Sequence, residues 1–123
     1  MQADKKLLGR WGEDIAGEYL KKNGYRVIGR NYGCRFGEID IIAEKRKCVV
    51  FVEVKLRKDD HFASAAEFVT AEKQRRVIAA AQMWLTQNDT EKQPRFDVVE
   101  VYAPEGIQTE EPKINHIEDA FQT

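Results

Sequence analysis

The stretch GEIDIIAEKRKCVVFVEVK, residues 37–55, constrains the fold more than any other. Two runs rich in Ile, Val and Phe flank a charged EKRK, which is the pattern of two β-strands joined by a tight turn. Glu38, Asp40, Glu53 and Lys55 interrupt those runs. Side chains alternate across a strand, so Glu38, Asp40 and Ile42 are expected on one face, and Glu53 and Lys55 on one face of the next strand. A two-residue turn, Arg46-Lys47 between paired Lys45 and Cys48, makes paired residue numbers sum to 93. In that register Asp40 faces Glu53 and Glu38 faces Lys55. A shift of two residues keeps the pairs diagonal and within reach, whereas a shift of one sends Glu53 and Lys55 to the opposite face.

Two carboxylates placed opposite each other repel, and a sheet that holds them together without a cation loses stability. A bound divalent ion removes the objection. Mg²⁺ prefers one or two carboxylates, several waters and substrate phosphate oxygens, the inventory that Asp40, Glu53 and a nucleic-acid backbone would offer. Lys55 would then hold an attacking water or neutralise charge developing on phosphorus. The bland alternative is a solvated face on which Lys55 and Arg57 make surface ion pairs of little worth. Ile42, Val49 and Phe51 on the same faces weigh against full solvation.

Upstream, residues 5–23 carry Leu8, Trp11, Ile15 and Tyr19 at helical spacing and end at Asn23-Gly24. Gly9, Gly12 and Gly17 each cost that helix about 1 kcal/mol relative to Ala, which implies close approach of its backbone to something. Gly9, Glu13, Ala16, Gly17 and Leu20 share a face, so Glu13 is expected at a small-residue contact with the sheet, either as a further metal ligand or holding a water of the ion. The competing reading of Glu13 is an ordinary helix-surface glutamate.

YRVIGRNY from Tyr25 is a first strand and RFDVVEVYA from Arg95 a fourth. A helix between the third and fourth strands is capped by Thr70 and buries a stripe of Lys73, Val77, Ala80, Ala81, Trp84 and Leu85. The end of the chain, from about residue 104, reads as an acidic, Pro-broken tail with a short helix in HIEDAF. The sum is one α/β domain over 1–123, a mixed sheet flanked by helices in the order α-β-β-β-α-β.

A chain of 123 residues with 42% hydrophobic and 33% charged residues fits one core. No apolar run reaches a membrane span and the start, MQADKKLL, does not resemble a signal peptide, so the cytoplasm is the expected location. Cys34 and Cys48 match no zinc spacing and, with only His61 and His116 beside them, are expected to be buried or idle thiols. The net charge of −1 conceals segregation: residues 21–58 hold 11 Lys/Arg against 4 Asp/Glu, residues 89–123 hold 3 against 9. A basic half with embedded acids suits a polyanion, although charge alone is equally consistent with solvated surface.

An acid in the first helix, GEIDII, FVEVK with its acid thirteen positions beyond Asp40, and a helix beginning AEKQRR together resemble the PD-(D/E)XK nuclease superfamily. GRWGEDIAGEYL, NYGCRFGEIDIIA, VVFVEVKLR, EKQRR and RFDVVEV are more closely similar to the bacterial YraN-like family, related to archaeal Holliday-junction resolvases. The resemblance spans about Gly9 to Phe121 and implies a restriction-endonuclease-like core. It implies Asp40 and Glu53 as ligands of Mg²⁺ or Mn²⁺, Glu13 as the helix-borne acid and Lys55 as the catalytic lysine. Lys73 and Gln74 look like a basic-polar pair near a helix N-terminus, where phosphate is favoured, and Arg35, Arg57 and Arg76 are the further residues expected to meet nucleic acid. Ile39 stands where the superfamily label has Pro. The activity implied is a metal-dependent endonuclease acting on DNA, in particular on branched DNA, and junction resolution would require a homodimer to make two symmetric cuts. The alternatives are a nucleic-acid-binding module without catalysis and a partner-binding protein that uses its acidic tail.

Overall fold

The computed structural model describes residues 4–58 and 69–123; His61 lies outside them. Helix α1 (Asp4–Lys22) leads into strands β1 (Arg26–Cys34), β2 (Gly37–Lys45) and β3 (Cys48–Arg57). Helix α2 (Ala71–Gln87), strand β4 (Gln93–Tyr102), one 3₁₀ turn (Gly106–Gln108) and strand β5 (Lys113–Phe121) follow. The five strands form one sheet in chain order, β1 to β5. Only β3 and β4 are parallel; the other neighbours are antiparallel. This is a small α/β domain with a mixed sheet and, among the described residues, two helices, as the sequence implies.

The helices cover opposite faces. Ala16 and Leu20 of α1 close over Ile41, Ala43, Val50, Val52, Val99 and Val101. Val77, Ala80 and Ala81 of α2 close over Ile42, Val49, Phe51, Phe96 and Val98, where Phe51, Phe96 and Phe121 stack in series at 5.6 and 5.2 Å. Because β3 is buried on both faces, Val49, Val50, Phe51 and Val52 all have 0% exposure, which is why its sequence runs apolar without alternation. Thr70 caps α2 as expected, its hydroxyl accepting the Lys73 N–H at 3.1 Å.

Of the three glycines in α1, one makes the close approach. A Cβ on Gly12 would lie 2.9 Å from the Leu56 side chain, whereas one on Gly9 or Gly17 would meet nothing within 4 Å. Cys34 and Cys48 are free and partly buried.

The end of the chain departs from expectation. HIEDAF is not a helix but part of β5, the sheet edge beside β4. Pairing with β4 keeps one register from Tyr102↔Lys113 to Val98↔Ile117, then slips so that Phe96 meets Phe121. Asp119 absorbs the slip with a φ of 53°. The irregularity brings Ile117, Ala120 and Phe121 onto one core, a spacing of three and four that imitates a helix in sequence.

Candidate active site

The two-residue turn forms as the pattern predicts, with Arg46 at a φ of 55° and pairs from Lys45↔Cys48 to Ile41↔Val52. The ladder then stops, one residue short of Asp40. There the alternation of β2 also breaks, since Ile39 packs with Ile42 in the α2-side core while Ile41 packs in the α1-side core. Asp40 replaces the backbone as acceptor: its Oδ2 takes the Val54 N–H at 2.8 Å. The expected backbone pairing of Asp40 with Glu53 is thus replaced by a splay between strands that admits both side chains. Glu38 is exposed and pairs with Gly33 of β1; its expected place opposite Lys55 is not what the structure shows, because β2 has left the ladder before reaching it.

Glu53, Lys55 and Arg57 continue the face of Val49 and Phe51 beneath α2. Glu53 is 4% exposed. Its Oε2 receives Lys73 Nζ at 3.4 Å and Lys55 Nζ at 3.7 Å, so a buried carboxylate is shared by an ammonium from its own strand and another from the first turn of α2. Burial pushes the Asp40 carboxyl up to about 7, with the Glu53 charge next in effect and Glu13 adding to it. The Val54 N–H and the Lys73 charge oppose the rise. Glu13 stands on α1, mostly buried, with Arg30 of β1 3.5 Å away and binding Asp14 as well at 2.7 Å. The four residues Glu13, Asp40, Glu53 and Lys55 are therefore brought to one region by α1, β2 and β3.

The remaining sequence-selected residues divide. Lys73 joins the acids directly. Gln74 serves its helix start, with Nε2 donating to the Val69 carbonyl at 2.9 Å. Arg76 pairs with Glu72 at 3.0 Å on an exposed turn. Arg57 reaches Glu100 on β4 at 3.4 Å, and Arg35 lies over the Phe36 ring at 4.9 Å.

Glu100 was not among the sequence candidates. It is 2% exposed, beside Lys55 in the parallel register, and accepts from Asn115 at 2.8 Å and Tyr102 at 3.3 Å. The signal was present, an acid inside the apolar run VVEVY, the same kind of signal that singled out Glu53. A second unexpected group lies elsewhere on the sheet. Asp97, His116 and Glu118 offer ligand atoms within 4.8 Å of one another, whereas Glu13, Asp40 and Glu53 do not form so compact a trio among the described residues. Chemistry favours a latch over a metal centre at Asp97. His116 Nε2 lies 2.7 Å from Oδ2, Arg95 donates to both oxygens at 2.8 and 2.9 Å, and the Asp119 N–H donates at 3.0 Å. Burial pushes Asp97 up, but these hydrogen bonds outweigh it and hold the carboxylate below its ordinary range. A cation there would have to displace a two-pronged guanidinium. Tyr19 of α1 closes the latch on the other His116 nitrogen at 3.0 Å.

The Asp40 region fits a hard cation better. Its oxygens come from two carboxylates, one carrying a readily lost proton near neutrality, and its counter-charges are mobile lysines, not an arginine fork.

A family model for the uncharacterised protein family UPF0102 matches residues 12–101. The chain belongs to UPF0102. A UPF0102 protein of Caldanaerobacter subterraneus is 43% identical over 122 residues, spanning 98% of this chain and 98% of its own. One from Vibrio parahaemolyticus is 46% identical over 100 residues, 80% of this chain and 83% of its own. One from Geobacter sulfurreducens is 42% identical over 118 residues, 95% of this chain and 90% of its own. The UPF0102 match takes in Glu13, Asp40, Glu53, Lys55, Lys73 and Glu100, and ends before β5. No helix among the described residues is long and apolar enough to cross a membrane.

Proposed function

We propose that this UPF0102 protein is a Mg²⁺- or Mn²⁺-dependent endonuclease of the PD-(D/E)XK type that hydrolyses phosphodiesters in DNA, with branched or otherwise structured DNA as its substrate. The observation that carries the reading is the meeting of Asp40 with buried Glu53 where β2 and β3 part, beside the ammonium groups of Lys55 and Lys73.

Asp40 and Glu53 would hold the ion, and Glu13 would orient water around it. When bound, a divalent ion neutralises phosphate oxygens and favours charge build-up in the transition state. Asp40 would hold the ion as the ionised carboxylate, the form a nearby cation favours. Lys55 turns from Glu53 to orient the attacking water or to balance charge developing on the phosphoryl oxygens. Lys73, at the start of α2, meets a phosphate of the substrate backbone.

The deciding experiment is to incubate purified protein with four-way junction, flap and linear duplex DNA under Mg²⁺, Mn²⁺ and EDTA. Metal-dependent cutting is expected, with the structured DNAs preferred. Lys55→Ala should abolish cutting while leaving DNA affinity within about threefold. Lys73→Ala should weaken binding and reduce its salt dependence by about one phosphate contact. Binding without cutting under either ion would replace the nuclease with a binding module on the same scaffold. A Lys55→Ala protein that cuts at the wild-type rate would remove the lysine from its role.

A further inference from the structure

The turn between β1 and β2 is a two-residue hairpin, Arg35-Phe36, closed by the pair Cys34↔Gly37. Such turns favour Asn-Gly, Asp-Gly or a glycine that accepts positive φ. Arg and Phe contribute nothing to that preference, and neither adopts a positive φ here. Phe36 nevertheless remains 40% exposed at the tip, with the Arg35 guanidinium centred 4.9 Å from its ring. The other exposed large hydrophobics among the described residues, Leu7 and Ile107, are aliphatic.

The tip is also fixed in place. A Cβ on Gly37 would lie 3.0 Å from the Arg76 carbonyl oxygen, so the first residue of β2 lies close against the backbone of α2, closer than most side chains fit without a small shift. That seats the tip one turn of helix from Lys73, whose ammonium meets Glu53. Phe36 precedes Asp40 by four residues, about 13 Å along an extended strand, or no more than about four stacked nucleotides.

We propose that the Arg35-Phe36 tip is a stacking platform for an unpaired nucleobase, which makes the substrate of the Asp40 site a DNA with unpaired bases within a few nucleotides of the cut. The inference rests on the nuclease reading. An exposed ring takes any base on an open face, and the guanidinium that lies over the ring offers a base a second plane to stack on while drawing in the phosphates. A fully paired duplex offers no free face to the ring, so the platform selects frayed, flapped or branched DNA over linear duplex.

The test uses fluorescence anisotropy in EDTA, so that no cutting intervenes, with a labelled 12-nucleotide single strand and a blunt duplex. A single stacked base is worth about 1–3 kcal/mol, so Phe36→Ala should weaken single-strand binding by roughly 5- to 100-fold. Its duplex binding should stay within about twofold and its salt dependence should not change. Phe36→Trp should keep the single-strand affinity, and Phe36→Leu, which retains apolar bulk without the ring, should lose it. A 2-aminopurine probe should be quenched by the wild type and by Phe36→Trp, but not by Phe36→Leu. If Phe36→Leu binds both DNAs as the wild type does, or loses both equally, the platform is refuted while the nuclease reading stands. If the wild type does not bind the single strand, the platform is refuted, and the cutting of junction and flap DNA under Mg²⁺ or Mn²⁺ decides the nuclease reading separately.

Discussion

Asp40 links the stability of the fold to pH at the scale of a single residue. Its carboxyl is raised by burial and by Glu53 from 3.8 to about 7, so the folded protein holds that proton more tightly than the unfolded chain. The contribution to stability is greatest below about pH 4 and is lost as pH rises through 7. Asp40→Asn removes this slope. In metal-free buffer the variant should melt above the wild type at pH 8, by an amount on the order of 2 kcal/mol, and by much less at pH 5. Scans at the two pH values check this; equal differences at both would mean that Asp40 does not titrate in the window. Mn²⁺ or Mg²⁺ should then raise the wild-type melting temperature and barely move that of Asp40→Asn, because an ion that binds only the folded state stabilises by mass action. Asp40, Glu53 and Lys55 were legible in the sequence because acids and a lysine inside apolar strands violate the pattern around them. Glu100 breaks the same pattern but lies across a parallel pairing whose register no turn fixes. The Asp97 latch was illegible because its partners, Tyr19, Arg95 and His116, come from three elements.

The local rules served best where a short connection or a regular period governs the element. The β2–β3 register followed from a two-residue turn, and α2 from Thr70 and the spacing of Val77, Ala80 and Ala81. They misled at β5, where the slip at Asp119 put Ile117 and Phe121 four residues apart on one core. The sequence presents the glycines of α1 as one group, and the structure separates them. Gly9→Ala meets no neighbour within 4 Å and should stabilise the protein by roughly 0.5–1 kcal/mol through helix propensity alone. Gly37→Ala requires β2 or α2 to give by a few tenths of an ångström and should cost about 1–3 kcal/mol. Urea denaturation of the two variants checks both signs, and a Gly37→Ala protein as stable as the wild type would show that the β2–α2 contact yields freely.

Across the whole molecule, the basic segment 21–58 supplies β1 to β3 with their turns and the acidic segment 89–123 supplies β4 and β5 with theirs, so the two parts of the sheet are built from chain segments of opposite net charge. A polyanion would be steered toward the basic segment, which carries the Arg35-Phe36 tip, and away from the acidic one. One chain of this size offers one Asp40 site, whereas resolving a four-way junction takes two symmetric cuts. A junction substrate therefore implies a two-fold homodimer on DNA, with both basic faces turned to the junction. Sedimentation with and without a four-way junction should reveal two copies on the junction. A strictly monomeric complex at saturating protein would exclude paired cutting and leave single-strand cutting by each copy.

The match between strand order and chain order bears on how the protein forms. Every strand pairs with its neighbour in the chain, and three of the four connections between successive strands are turns or short segments, so most pairing is cheap in loop entropy. Only the β3–β4 contact, Cys48↔Gln93 onward, closes across a long stretch. Contacts that span more of the chain form more slowly. The β1–β2–β3 meander can therefore take shape first, bringing Asp40 and Glu53 together before Lys73 has a surface on which to dock. During that interval the two acids face each other without the α2 ammonium, a repulsion that lowers the population of the early meander at neutral pH and relaxes as Asp40 takes up its proton. Refolding should accordingly run faster at pH 5 than at pH 8 in the wild type, and Asp40→Asn should flatten the difference; stopped-flow traces with the same pH dependence in both proteins would place the acid pairing after the rate-limiting step.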